Sequence, residues 1–147
     1  MVEKLHLFYL LCSKILSMIK FAFTILYVDD VVKTINFYEQ AFEFSKKFIT
    51  PDNSYGEVTS GETTLSFASN TLALSNLKDG FIQSHLNEKP FGIEIGFTTD
   101  DVQGVIKQAI EAGATLYASP KEKPWGQIVG YVRDLDGFLI EICTPID

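Results

Sequence analysis

The chain has 147 residues, one domain's length. It is 46% hydrophobic and 21% charged, near globular averages, which excludes a disordered or collagen-like chain. The net charge of −7 (12 Lys+Arg against 19 Asp+Glu) argues against a nucleic-acid partner, because phosphate contacts need clustered cations, and it suits a cationic small molecule.

Residues 1–20 read MVEKLHLFYLLCSKILSMIK. The apolar stretch from Leu5 to Leu11 is broken by Ser13 and Lys14, far short of the roughly 20 residues a membrane span needs, so no membrane association is expected. A signal peptide would want a small-x-small cleavage site, and none follows. Leu5, Phe8, Cys12, Ile15 and Ile19 recur at helical spacing. Residues 1–17 therefore read as a helical extension packed on the domain or on a partner subunit. Translation starting at Met18 is the competing reading. Cys12 and Cys143 are the two cysteines, too few for a disulfide framework, and they read as free thiols in a reducing cytoplasm.

Phe21 to Val28 is β-branched and aromatic and predicts a strand. Asp30 is an N-cap candidate. Val31, Ile35, Tyr38 and Phe42 then mark one face of a helix. Short strands are predicted at Phe44–Ile49, Tyr55–Ser60 and Thr63–Ala68, the last two joined at Gly61-Glu62. A connector spans 70–90, longer than most loops, so it forms a lid or holds a short helix.

The order then repeats. Phe91–Thr99 is a strand ending in Asp100-Asp101, and Val102, Ile106, Ala109 and Gly113 follow. Each lies 71 residues after its counterpart: Asp100 after Asp29, Val102 after Val31, Ile106 after Ile35, Ala109 after Tyr38, Gly113 after Phe42. Gly113 suits a helix C-terminus at positive φ. Strands are predicted at Ala114–Ala118, Gln127–Arg133 and Phe138–Cys143. Asp136-Gly137 supplies the last hairpin turn, with both central positions at positive φ. The expected domain is residues 18–147, with modules at 18–69 and 91–147.

Three stretches carry a family resemblance: VDDVVKTINFYEQAFEF (28–44), IEIGFTTDDV (93–102) and KPWGQIVGYVRDLDGFLIEI (123–142). They resemble the vicinal oxygen chelate superfamily, which includes glyoxalase I, extradiol dioxygenases and fosfomycin- and bleomycin-resistance proteins. Leu135 stands where the family's Asp-Pro-Asp-Gly turn has proline. The resemblance implies an α+β fold, with two tandem βαβββ modules forming a curved mixed sheet around a cavity and helices outside. Strand alternation would then turn Phe23, Ile25 and Tyr27, Glu94, Gly96 and Thr98, and Leu139, Glu141 and Cys143 toward the cavity.

Metal-dependent members of the family place ligands on the first and last strands of each module. Carried onto this chain, those places are Phe23, Ser66, Glu94 and Glu141. Phe23 cannot ligate and Ser66 is a poor ligand, so no metal residue is assigned and no cofactor is expected, with a divalent metal as the lesser alternative. His6 and His85 are the only histidines, which excludes a three-histidine site; only His85, from the connector, could join the two carboxylates.

Glu94 and Glu141 are candidates for a general acid/base pair, or for anionic anchors of a cation. The ordinary reading is that they hydrogen-bond at a wet cavity edge. Trp125, in a Pro-Trp-Gly element, with Phe23, Tyr27, Tyr131, Phe67 and Ser66, forms the candidate ligand wall. For Phe67 a place in the core is the stronger reading. No GxGxxG, P-loop or nucleophile elbow occurs, and Asp134-Leu135-Asp136-Gly137 fails calcium-loop spacing. Two functions remain: a metal-independent protein that sequesters an aromatic or cationic compound, as bleomycin-resistance relatives do, or a glyoxalase-type lyase or isomerase using Glu94 and Glu141 with or without a metal. The resemblance also implies a homodimer.

Overall fold

The computed structural model describes residues 2–6 and 18–146. Residues 2–6 are an exposed helical stretch, and the rest of the expected N-terminal helix, with Cys12, lies outside the described residues.

Module one runs β1 (Thr24–Val28), α1 (Val31–Phe42), β2 (Ser45–Ile49), β3 (Tyr55–Ser60) and β4 (Thr63–Ser69). After α2 (Asn70–Asn76), module two repeats it as β5 (Glu94–Thr98), α3 (Val102–Ala112), β6 (Thr115–Glu122), β7 (Ile128–Arg133) and β8 (Leu139–Cys143). Each module is a four-stranded mixed sheet, in the orders β1-β4-β3-β2 and β5-β8-β7-β6. The first strand lies parallel to the last, and the other pairs are antiparallel. β1 and β5 are therefore both edges, and no ladder joins them.

The two helices start alike. The Asp30 carboxylate accepts from Lys33 N at 2.9 Å, and that of Asp101 accepts from Gly104 N at 2.9 Å, so the N-caps also stand 71 apart. Gly113 ends α3 at φ +120°. Val31, Ile35 and Tyr38 of α1, and Val102, Ile106 and Ala109 of α3, are buried as their spacing predicts.

Sheet alternation sets the other half of the core. Leu26, Val28 and Phe67 in module one, and Ile140 and Ile142 in module two, lie under the helices in one continuous cluster. The modules are fastened there. Tyr38 donates to Asp134 Oδ2 at 2.8 Å, Thr34 to Asp136 Oδ2 at 3.2 Å, and Asp29 N to Asp136 Oδ1 at 2.9 Å. Phe97 of β5 packs on Phe42 and Phe44, ring centres 4.9 Å away in both cases.

Four local expectations change. β1 starts at Thr24 rather than Phe21, where its pairing with β4 begins opposite Leu65, so Phe23 precedes the strand. β5 starts at Glu94 rather than Phe91, because its partner β8 starts at Leu139, the residue opposite Glu94. β6 runs past Ala118 and through Pro120 to Glu122, since it is an outer edge with register shifts, where a missing N–H breaks no ladder. In the last hairpin only Gly137, at φ +91°, is left-handed; Asp136 is not. The loop closes through Gly137 N to Asp134 O at 3.2 Å and Asp134 N to Phe138 O at 3.0 Å, a longer form than the two-residue turn.

The connector contains the short helix α2, capped by Ser69, whose Oγ accepts from Leu72 N at 3.1 Å. Its later part is clamped by Arg133. The guanidinium, on a residue 5% exposed, donates to the carbonyls of His85 (2.8 Å), Leu86 (3.2 Å), Glu88 (2.6 Å) and Gly137 (2.9 Å). A Cβ at Gly137 would lie 2.9 Å from the His85 carbonyl oxygen, so only glycine lets the hairpin approach the connector so closely.

Candidate functional site

The registers align the two modules residue by residue. Ile25 pairs with Ser66 in module one, and Gly96, 71 residues later, pairs with Glu141 in module two. Ser66 and Glu141 are thus equivalent positions, as are Phe23 and Glu94.

Module two builds the acidic centre. Glu94 comes from β5, Tyr131 from β7, and Glu141 and Cys143 from β8, between them. Tyr131 stands opposite Glu141 in the β7–β8 ladder and donates from its hydroxyl to Glu141 Oε2 at 2.7 Å. Burial, then a hydrogen bond to Glu141, then repulsion from it hold the Glu94 carboxyl above the usual range. Burial would raise Glu141 as well, but hydrogen bonds from Tyr131, Cys143 and Glu94, with the charge of Lys123, bring it below its ordinary value. The two carboxyls are thus shifted in opposite directions, Glu94 up and Glu141 down. The hydrogen bond to Glu141 and then burial raise the Tyr131 phenol far beyond its usual range, so it stays a donor. Burial and then Glu141 raise the Cys143 thiol, which is free and buried.

Trp125 sits on the turn between β6 and β7, closed by Gly126 N to Lys123 O at 2.8 Å. Its indole N–H donates to Gln127 Oε1 at 2.8 Å, and Gln127 Nε2 donates to Thr144 O at 2.6 Å. The ring is tethered yet 67% exposed, so its face is open for stacking.

Two further cavities lie along the seam between the edge strands β1 and β5. One, of about 610 Å³, is lined by Phe23 and Glu94 among others. The second, of about 280 Å³, is lined by Ile25, Tyr27 and Leu139 with Phe81 from the connector. Tyr27 packs against Phe81, ring centres 4.7 Å apart.

The expected site residues thus separate. Glu94, Glu141 and Tyr131 come together, Phe23 and Tyr27 line the seam with Glu94, and Trp125 stands on the rim turn. Phe67 does not belong to a ligand wall: it is fully buried against Tyr38, ring centres 4.9 Å apart, because alternation along β4 turns it under α1. Ser66 is corrected too. It is fully buried opposite Glu57, and its Oγ, without a hydrogen-bond partner, offers no exposed contact.

Sequence reasoning missed a second polar cluster, on module one. Tyr55 donates to Glu57 Oε1 at 2.8 Å and Lys47 to Glu57 Oε2 at 2.9 Å. Burial pushes Glu57 up, but these two bonds outweigh it and leave the carboxylate below its usual range. The signal was the i, i+2 pairing of Tyr55 with Glu57 on one strand face. Phe81 was also missed, since nothing in its local sequence announces a contact with Tyr27.

A divalent ion in the family's manner does not fit these residues. Of the four equivalent places, one holds phenylalanine and one a buried serine, and among the described residues no three His, Cys, Asp or Glu side chains gather into a cluster that could hold a metal ion. Nor is any helix among them long and apolar enough to cross a membrane.

A family model for the glyoxalase-like domain matches residues 21–147. None of the curated proteins matches the chain. Among solved structures, a glyoxalase-related enzyme from Fulvimarina pelagi is similar with a TM-score of 0.74 and 18% identity, covering 87% of this chain and 89% of that one. A glyoxalase/bleomycin resistance protein/dioxygenase family enzyme from Burkholderia phytofirmans gives 0.70 and 21%, covering 85% and 98%. A member of that superfamily from Sphaerobacter thermophilus gives 0.64 and 24%, covering 87% and 98%. At these identities the likeness is one of fold.

Proposed function

Since this chain belongs to the glyoxalase-like family of the vicinal oxygen chelate superfamily, we propose that it binds a small aromatic or cationic molecule without a metal, sequestering it rather than transforming it. The observation that carries this reading is the Glu94–Glu141 pair of module two, Glu94 shifted up and Glu141 shifted down and bonded by Tyr131, with the exposed indole of Trp125 on the β6–β7 turn. A cation near the pair would favour the ionised form of both carboxyls, and a planar group can stack on the indole. Calorimetric titration with bleomycin and with ethidium tests the reading. Saturable heat that weakens at least tenfold in both Glu94→Gln and Trp125→Ala supports it, and no heat above dilution with either cation overturns it.

One observation favours a second reading. Glu94, shifted up, stands beside Glu141, shifted down, and two carboxyls pushed apart in this way are the acid and base that a glyoxalase-type isomerase or lyase needs. Turnover of the methylglyoxal–glutathione hemithioacetal, insensitive to a chelator and lost in Glu141→Gln, would put this reading first. We also propose that the chain acts as a homodimer in a reducing cytoplasm, where Cys143 stays a thiol. Sedimentation at micromolar concentration reads the first and mass analysis of the thiol the second.

A further inference from the structure

The two cavities of the seam share Thr24, Ile93 and Ile95, so they adjoin between the modules. The two differ in chemistry. One carries Glu94. The other, of about 280 Å³, is lined by Ile25, Tyr27, Phe81, Ile82, Phe91 and Leu139 and by no charged side chain.

The apolar stretch is roofed by the connector, and its roof is fixed. Arg133 holds three successive parts of the connector by their carbonyls, just beyond the residues that line the cavity. On the cavity side, Phe81 rests on Tyr27 and Phe91 lies 6.3 Å from Phe138, ring centre to ring centre. A wall held by a buried guanidinium on one side and by aromatic pairs on the other is shaped in advance. A preformed apolar cavity gives up little conformational freedom on binding.

We infer that this stretch is a pocket for the uncharged, apolar end of a small amphipathic ligand, an aromatic ring or short alkyl group, whose polar end points along the seam toward Glu94. The inference rests on the reading that a small molecule binds at Glu94. It adds the ligand's orientation and the need for an uncharged end, because an ion in the apolar stretch would lose its hydration and find no partner.

The probe is N-phenyl-1-naphthylamine, uncharged at pH 7 and fluorescent in apolar surroundings. Titrated into the full chain, it is expected to give saturable fluorescence, with nuclear Overhauser contacts to the methyls of Ile25, Ile93, Ile95 and Leu139. Ile25→Trp fills the pocket and should weaken the probe at least tenfold. Phe81→Ala, a second variant on the roof, should weaken it about fivefold with the circular dichroism unchanged. Absence of saturable binding, contacts only to methyls elsewhere, or full affinity in both folded variants would overturn the inference. Cations that bind where the probe does not would refute the apolar pocket alone. A probe that binds where no cation does would refute the cation reading alone.

Discussion

Glu94 and Glu141 are shifted in opposite directions, and their neighbours decide which goes up and which goes down. Glu141 has the Tyr131 hydroxyl and the Cys143 thiol, whereas Glu94 has chiefly Glu141 itself. Glu94 is therefore the group that ionises as pH rises above the ordinary carboxyl range. Affinity for an aromatic cation should climb through that range, and Glu94→Gln should flatten the climb; calorimetry from pH 4 to pH 8 reads both. Tyr131→Phe removes the 2.7 Å bond that stabilises the ionised Glu141. The Glu141 carboxyl should then titrate higher, as followed by carbon NMR of the labelled side chain. How far the centre could be read from sequence is clear at these residues. Glu94 and Glu141 stood out as carboxylates on strands whose alternation points them inward. The Tyr131 bond did not, because it depends on the β7–β8 register.

At the scale of elements, the last hairpin carries more than a turn. Asp134 Oδ1 accepts from Asp136 N at 3.0 Å and Phe138 N at 2.9 Å, closing the loop, while Oδ2 takes the Tyr38 hydroxyl of the other module. Burial raises Asp134 to about 6 from an ordinary 3.8. A carboxyl raised on folding binds its proton more tightly in the native state, so its contribution is full below about pH 4 and is lost as pH rises through 6. Asp134→Asn should remove that slope from urea unfolding measured between pH 4 and pH 7. Tyr38→Phe leaves one Asp134 oxygen without its donor and should cost about 1–3 kcal/mol at pH 7 in the same experiment. β7 has its own sensitive point at Gly130, where a Cβ would lie 3.2 Å from the Pro120 backbone and against Ile106. Gly130→Ala should therefore destabilise by about 1–3 kcal/mol in thermal unfolding.

At the scale of the whole molecule, two sheets that share no ladder are held in place by what lies around them: the common helix core, the Asp134 and Asp136 links, and the connector. Arg133 fixes the last of these. Arg133→Ala should leave both modules folded but raise amide hydrogen exchange across residues 84–91 by at least tenfold, with the α1 and α3 amides unaffected. If the connector amides exchange at the parent rate, Arg133 is not what holds them.

The sequence by itself determined the repeat. Helix faces spaced 71 apart, caps at Asp30 and Asp101, and strands alternating in and out are local or periodic signals, set by backbone geometry and the burial of apolar side chains. They were enough for the family and for the two carboxylates. Tertiary structure alone decided what each position meets. It put Phe67 and Ser66 out of a ligand's reach, set Tyr131 on Glu141 and laid Phe81 on Tyr27. It also carried β6 through Pro120, because an outer edge tolerates a residue with no N–H. Each of these depends on register or on contacts between residues far apart in the chain, and neither composition nor spacing carries that information.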